Sequence, residues 1–398
     1  GPAPSSQYDI HLAIRPQGSL SWNLETLPLD NVPATDNRPF VGGPLGLDAV
    51  LSGADGPIVA FAGGGPGLFT CASSDVVVAT RQAWPSCAGA GCSGSWAFQV
   101  PVTGSAAFGD YCNSPTCSTC TGGCVCNAPA CCNDPNCASG QDVGMWSAID
   151  RAPGGELAVA FTDAHNYTDN DGYQKRGLEL WESSGSVTGI RPWSGWGRAA
   201  ALKFAGTTPV VAFTGYPRTG LQVVRRAATN GDGNDWPSVE LPRAGTIGER
   251  IAMQVAPSGR LGLVFHLTHD PTGRVANDLF YCYSDDGGVN WSPPLCESID
   301  LVGLHVGATP SLAFDSDSRP VVSYYLCGGD NTCRQQEDGL RLAFRDDMNR
   351  WRIYNVHNEA GNRSGLYSQI VIDPITDAPT LVFHQMSTGY ARVAQGAF

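Results

Sequence analysis

One phrase recurs six times and constrains the fold more than any other feature of the sequence. A short apolar run closes on an aromatic residue at 57–61 (Phe61), 157–161 (Phe161), 210–213 (Phe213), 261–265 (Phe265), 321–324 (Tyr324) and 380–383 (Phe383). The closing aromatics are 100, 52, 52, 59 and 59 residues apart. A period of this length is the mark of a repeat architecture, in which each unit buries its apolar surface against its neighbours. A second apolar run follows each phrase, at 76–80, 178–181, 221–225, 279–283, 340–344 and 390–394. A further run, usually opened by a tryptophan (Trp96, Trp236, Trp291, Trp351), comes after most of these. Four short strands per unit of this size describe the blade of a β-propeller.

The spacing predicts an all-β, six-bladed β-propeller forming a single domain over residues 1–398. The interval of 100 residues is one blade plus an insert at 103–144, which holds Cys, Gly, Asn and Pro without alternating apolar segments. The N-terminal part supplies two strands, at 10–14 and 21–27. Trp22 opens the second as the other tryptophans open theirs, so this strand is expected to complete the last blade. The strand at 10–14 then adds an outer strand, or belongs to a seventh blade if the chain continues past residue 398. Gly1-Pro2 reads as the scar of a protease cut.

Residues 281–291 contain a turn of defined chemistry, Ser284-x-Asp286-x-Gly288-x-x-Trp291. Asp286 is placed to accept backbone N–H groups of the turn, Gly288 to adopt positive φ, and the tryptophan to pack between sheets. These eight positions resemble the Asp box (BNR repeat) of sialidase-like β-propellers, with Asn290 where Thr is commoner. The resemblance implies a β-propeller with the Asp-box turns on the face opposite the loops that carry function. In sialidases it also implies a triad of arginines and a Tyr/Glu pair. Arg15, within Ile14-Arg15-Pro16, and Arg191, within Ile190-Arg191-Pro192, do not stand on an inner strand as that family's first arginine does. The resemblance therefore points to the fold rather than to sialidase chemistry, with glycoside hydrolysis a minor alternative.

The net charge of −13, with only 24 Lys and Arg, argues against nucleic acid and anionic membrane surfaces as partners. No apolar run reaches the length of about 18 residues that a membrane-spanning helix needs. Fifteen cysteines point to an oxidising compartment and thus to a secreted, periplasmic or cell-surface protein. Local spacing pairs Cys87 with Cys92, Cys282 with Cys296 (across the Asp-box turn), and Cys327 with Cys333. Eight more lie within 112–137, where a disulfide knot, a thiolate metal cluster or a redox role for Cys131-Cys132 are alternatives.

In this scheme six of the seven histidines fall toward one face. His165, His266, His269 and His384 follow second strands, and His305 and His357 lie between blades; only His11 lies elsewhere. Asp163, His165, Arg218, His269, Asp270, Tyr325 and His357 are the candidate ligand-binding residues. His266 and His384 follow the closing aromatic at equivalent positions and form a candidate Cu or Zn site. Asp163, Asp169 and Asp171 form a candidate calcium site, lacking the EF-hand spacing. No Gly-x-Ser-x-Gly, His-Glu-x-x-His or phosphate-binding loop is present. The expected function is recognition of glycan or protein through this face and the Cys-rich insert. A metal-binding propeller or metalloenzyme is the alternative.

Overall fold

The computed structural model describes residues 10–14, 23–29, 47–52, 56–63, 75–82, 95–102, 145–168, 174–191, 198–214, 219–227, 236–269, 275–300, 305–327, 339–358, 364–385 and 388–396. The Cys-rich insert, Cys87, Cys92 and Cys333 lie outside them. All regular structure is β, and no α-helix occurs among the described residues. The fold class is the six-bladed β-propeller, and its strands fall into two compact units.

In the first unit, β1 (His11–Ile14) and β2 (Asn23–Thr26) pair antiparallel as a hairpin. β3 (Leu47–Ser52), β4 (Gly56–Gly63), β5 (Asp75–Arg81) and β6 (Trp96–Val102) form the first four-stranded sheet, in chain order. β7 (Met145–Arg151), β8 (Leu157–Thr168), β9 (Gln174–Glu182) and β10 (Val187–Arg191) form the second.

The second unit begins with β11 (Arg198–Ala205), β12 (Thr208–Thr214) and β13 (Thr219–Arg225). β14 (Ser238–Val255) is long enough to serve two sheets. Its first part pairs with β13, and its second part with β15 (Leu261–His269). β16 (Val275–Ser284) and β17 (Ser292–Asp300) complete the fourth sheet. β18 (His305–Phe314), β19 (Pro320–Cys327), β20 (Gly339–Arg345) and β21 (Trp351–Asn358) make the fifth. β22 (Ser364–Ile372), β23 (Pro379–Gln385) and β24 (Tyr390–Gln395) make a three-stranded sixth.

β4, β15 and β19 are buried along most of their length because each lies in the middle of a stack, and strand alternation sends successive side chains to opposite neighbours. In β4, Ile58 and Ala60 join Ile149, Val159 and Phe161 of the second sheet in one core. Val59 and Phe61 face the other way, into a core with Leu27, Ile10 and Leu12 of the hairpin. Each large apolar side chain buried in this manner contributes roughly 1.5–3 kcal/mol. The second unit stacks likewise: Leu263 and Phe265 lie in the core between the third and fourth sheets, Val264 in that between the fourth and fifth.

The hairpin departs from the sequence expectation. The strand after Trp22 pairs with β1, and β24 pairs with β23 alone among the described residues. Burial explains the pairing: Leu27 is a core residue, its N–H donates to Ile10 O at 2.9 Å, and Glu25 is drawn inward by two donors. Arg81 Nε donates to Glu25 Oε2 at 2.9 Å and Trp96 Nε1 to Oε1 at 2.6 Å. Arg81 is 1% exposed.

The Asp-box turn forms as its chemistry dictates. Asp286 Oδ1 accepts the N–H groups of Val289 (3.1 Å) and Asn290 (2.8 Å) and the Ser284 hydroxyl (2.8 Å). Gly288 has φ 93° and donates its N–H to Ser284 Oγ at 2.8 Å. Cys282 and Cys296 are joined by a disulfide across the turn, as the spacing predicts. Cys327 is also disulfide-bonded.

Two outcomes follow. Glu25→Ala removes the carboxylate that accepts from both Arg81 and Trp96 and is expected to cost about 3 kcal/mol in chemical denaturation; a loss below about 1 kcal/mol contradicts a buried pair. The bond from the Asn290 N–H, ahead of the other donors, holds Asp286 down to about 2. Its folded-state pKa is depressed, so its contribution is complete above the unfolded value of about 3.9 and is lost as pH falls toward 2. The difference in melting temperature between the wild type and Asp286→Asn should therefore shrink over that window and stay constant from pH 5 to 8.

Candidate functional site

The closing aromatics that mark the repeat have a structural partner. In four sheets the first strand carries one extra residue opposite the closing aromatic of the second, with register slips between Met145 and Ala148, Arg198 and Ala201, Ala308 and Ser311, and Leu366 and Gln369. In the fourth sheet the slip between Ile247 and Ile251 carries two extra residues and lies opposite His266. Such β-bulges re-aim side chains and mark functional rims. Three put a side-chain-bearing residue in the left-handed region: Trp146 (φ 51°), Thr309 (φ 49°) and Tyr367 (φ 54°). That conformation costs roughly 1–3 kcal/mol per residue and persists only where the surroundings impose it.

In the second unit the bulges of β18 and β22 are bonded to one another. Tyr367 N–H donates to Thr309 Oγ1 at 2.9 Å, Ile370 N–H to Ser311 Oγ at 3.2 Å, and Ser311 Oγ to Gln369 Oε1 at 3.3 Å. The hydroxyls of Ser323 and Ser368 are 2.9 Å apart and fully buried. This polar seam fixes Tyr367, which remains 40% exposed. The seam is thus a rigid support with an aromatic surface at its rim.

Below it, Tyr324 donates its hydroxyl to Asp300 Oδ2 at 2.6 Å, and Arg341 Nη1 donates to the same oxygen at 2.7 Å. Burial first, and then the Asp300 charge, push the Tyr324 hydroxyl far above its usual range, so it stays a neutral donor. A tyrosine held in this way braces the fourth sheet against the fifth.

The sequence candidates distribute unevenly over this frame. His266 is buried beside Gly248 of β14, where an added Cβ would come within 2.9 Å of His266 Nδ1. Tyr325 is buried one position after Tyr324. His384 is half-buried and sits across from Leu366 and Ala391. His357 lies within β21, not in a connection, and its ring packs 5.2 Å from Phe383. Strand alternation puts His384 on the opposite face of the sheet from Phe383, so His357 and His384 do not converge. His305 starts β18. Asp163 and His165 belong to β8 and His269 to β15 by backbone; their side chains, and Asp169, Asp171, Arg218 and Asp270, lie outside the described residues. Among the described residues no three of His, Cys, Asp or Glu are grouped so as to hold a metal ion.

Sequence reasoning missed Thr309, Ser311, Ser323, Tyr367, Ser368 and Gln369. A signal for them exists: a glycine stands just before four of the bulges, at Gly144, Gly197, Gly307 and Gly365, and Gly248 lies within that of β14. Gly307 (φ 96°) and Gly365 (φ 117°) use a backbone region that other residues avoid.

No family model and no curated protein matches the chain. Solved structures similar to it include a protein of unknown function from Dyadobacter fermentans, at 12% identity over 89% of this chain and 96% of that one, with a TM-score of 0.45. NanB sialidase from Streptococcus pneumoniae is similar at 11% identity over 92% and 71%, with a TM-score of 0.46. The α-L-arabinanase of Penicillium chrysogenum is similar at 12% over 63% and 80%, with a TM-score of 0.40.

Relief of backbone strain offers a check on the rim. Tyr367→Gly is expected to leave thermal stability unchanged or to raise it by about 1 kcal/mol, because glycine adopts φ 54° freely. A marked loss in the same melting experiment would make Tyr367 a packing residue. The repeat of sheets, with the complete Asp-box turn in the fourth, gives this chain the architecture of a six-bladed β-propeller.

Proposed function

We propose that the protein is a secreted or cell-surface recognition propeller that binds glycan at the bulge-bearing end of its second unit. The observation that carries this reading is Tyr367, held in a strained conformation and exposed beside a bonded seam of hydroxyls and an amide. A rigid aromatic platform beside neutral polar groups suits a sugar ring, which presents an apolar face and a rim of hydroxyls. Natural chains keep such strain where a side chain must be aimed. The disulfide at Cys282–Cys296 and the bonded state of Cys327 support an oxidising compartment. No helix among the described residues is long and apolar enough to cross a membrane.

The test is a glycan array probed with the whole chain, followed by titration of the best ligand. Tyr367→Ala is expected to weaken binding by about tenfold or more while the melting temperature holds. Chelation of metal should leave the affinity unchanged. Binding that survives Tyr367→Ala overturns the reading. Binding abolished by a chelator moves the site to His266 and His384 or to the aspartates of 163–171.

A further inference from the structure

The first strands of the bulged sheets can be compared position by position. Pairing resumes after the slip at Ala148, Ala201, Ile251 and Ser311 in the second to fifth sheets, and all four residues are buried. In the sixth sheet the same position holds Gln369, opposite Val382, and it is exposed. The repeat is thus broken in the sheet that carries Tyr367. Along β22, Tyr367 is exposed, Ser368 buried and Gln369 exposed again. Two residues of strand span at most roughly 6–7 Å, which is the scale of a single sugar ring.

The hydrogen bonds of Ser311 decide which end of the Gln369 amide is tied to the seam. Ser311 is buried, and its Oγ accepts the Ile370 N–H at 3.2 Å. Its own hydrogen needs an acceptor, and Gln369 Oε1 stands 3.3 Å away. With the amide reversed, Nε2 would bring a second donor to the same oxygen and leave the buried hydroxyl hydrogen without an acceptor, a state that buried polar groups avoid. Oε1 is therefore held by Ser311, and Nε2, with its two N–H donors, is directed away from it. Val382, across the strand pair, has no acceptor in its side chain.

We propose that Gln369 is a specificity-determining residue of the glycan site: its amide donates to a hydroxyl oxygen of the sugar that stacks on Tyr367, and Ser311 is the positioning residue that orients it. The inference rests on Tyr367 as the platform. Stacking on an aromatic ring distinguishes poorly between sugars, because many present an apolar face. A fixed donor beside the platform selects those with an acceptor oxygen at one position of the ring, since an analogue lacking it leaves the amide without its partner. The ligand class is therefore a sugar bearing a free hydroxyl next to the face that meets Tyr367.

The test titrates the best sugar from the glycan array, and its set of monodeoxy analogues, into the full chain by calorimetry. Gln369→Met keeps the length of the side chain and removes its donors. It is expected to weaken the parent sugar about fivefold while the melting temperature holds. One monodeoxy analogue should bind the wild type about fivefold more weakly than the parent does, and should bind the wild type and Gln369→Met alike. Ser311→Ala should weaken the parent sugar and spare that same analogue, which a general loss of structure would not do. If Gln369→Met binds the parent as the wild type does while Tyr367→Ala still weakens it, the role of Gln369 is overturned and the platform stands. If Gln369→Met weakens the parent and every analogue equally, the side chain acts through shape alone and the proposal is again overturned. If neither substitution changes binding, or the array holds no ligand, the platform reading falls and this inference falls with it.

Discussion

Everything in this structure depends on a strand being buried on both faces. β4 lies between two other layers, so Val59 and Phe61 pack one way while Ile58 and Ala60 pack the other. Leu263 with Phe265, and Val264 between them, repeat the division in the second unit. Sheets stacked in this manner need no single large core. Every interface is a modest apolar layer, and a closing aromatic is among its members.

The same aromatic dictates where the chain is irregular. A large ring at the end of the second strand faces two residues of the first instead of one, in four sheets. The extra residue turns one side chain out of the stack, which takes Thr309 and Tyr367 into the left-handed region. The polar groups freed by the bulge are bonded across to the neighbouring sheet through Ser311, Gln369 and the Ser323–Ser368 pair. Core packing and the polar rim are therefore two results of one arrangement. The buried Asp300–Tyr324–Arg341 group braces the fourth sheet against the fifth beneath it.

Much of the frame was legible because it rests on local chemistry. The apolar phrases, the tryptophans and the Ser284–Trp291 turn each need only nearby residues to act, and each forms as expected. The rim was not legible, since a bulge is a relation between two strands. Thr309 and Ser368 look like ordinary loop-edge residues until the register is known, although glycines stand before four of the bulges. The surroundings of the histidines were not legible for a similar reason. His266 and His384 hold equivalent places in sequence, but His266 is buried against Gly248, and the sheet separates the face of His384 from that of Phe383 and His357.

The sequence by itself determined the all-β class, the sheet-by-sheet repeat, the Asp-box turn and the Cys282–Cys296 bond, all governed by short-range pattern. Only the tertiary structure decided that the strand after Trp22 pairs with His11–Ile14. The pull of Arg81 and Trp96 on Glu25 is a contact between residues far apart in the chain. It also decided that Tyr367 stands at an open rim while Tyr325 is buried. Exposure depends on which layer lies alongside, and no local pattern of residues encodes that.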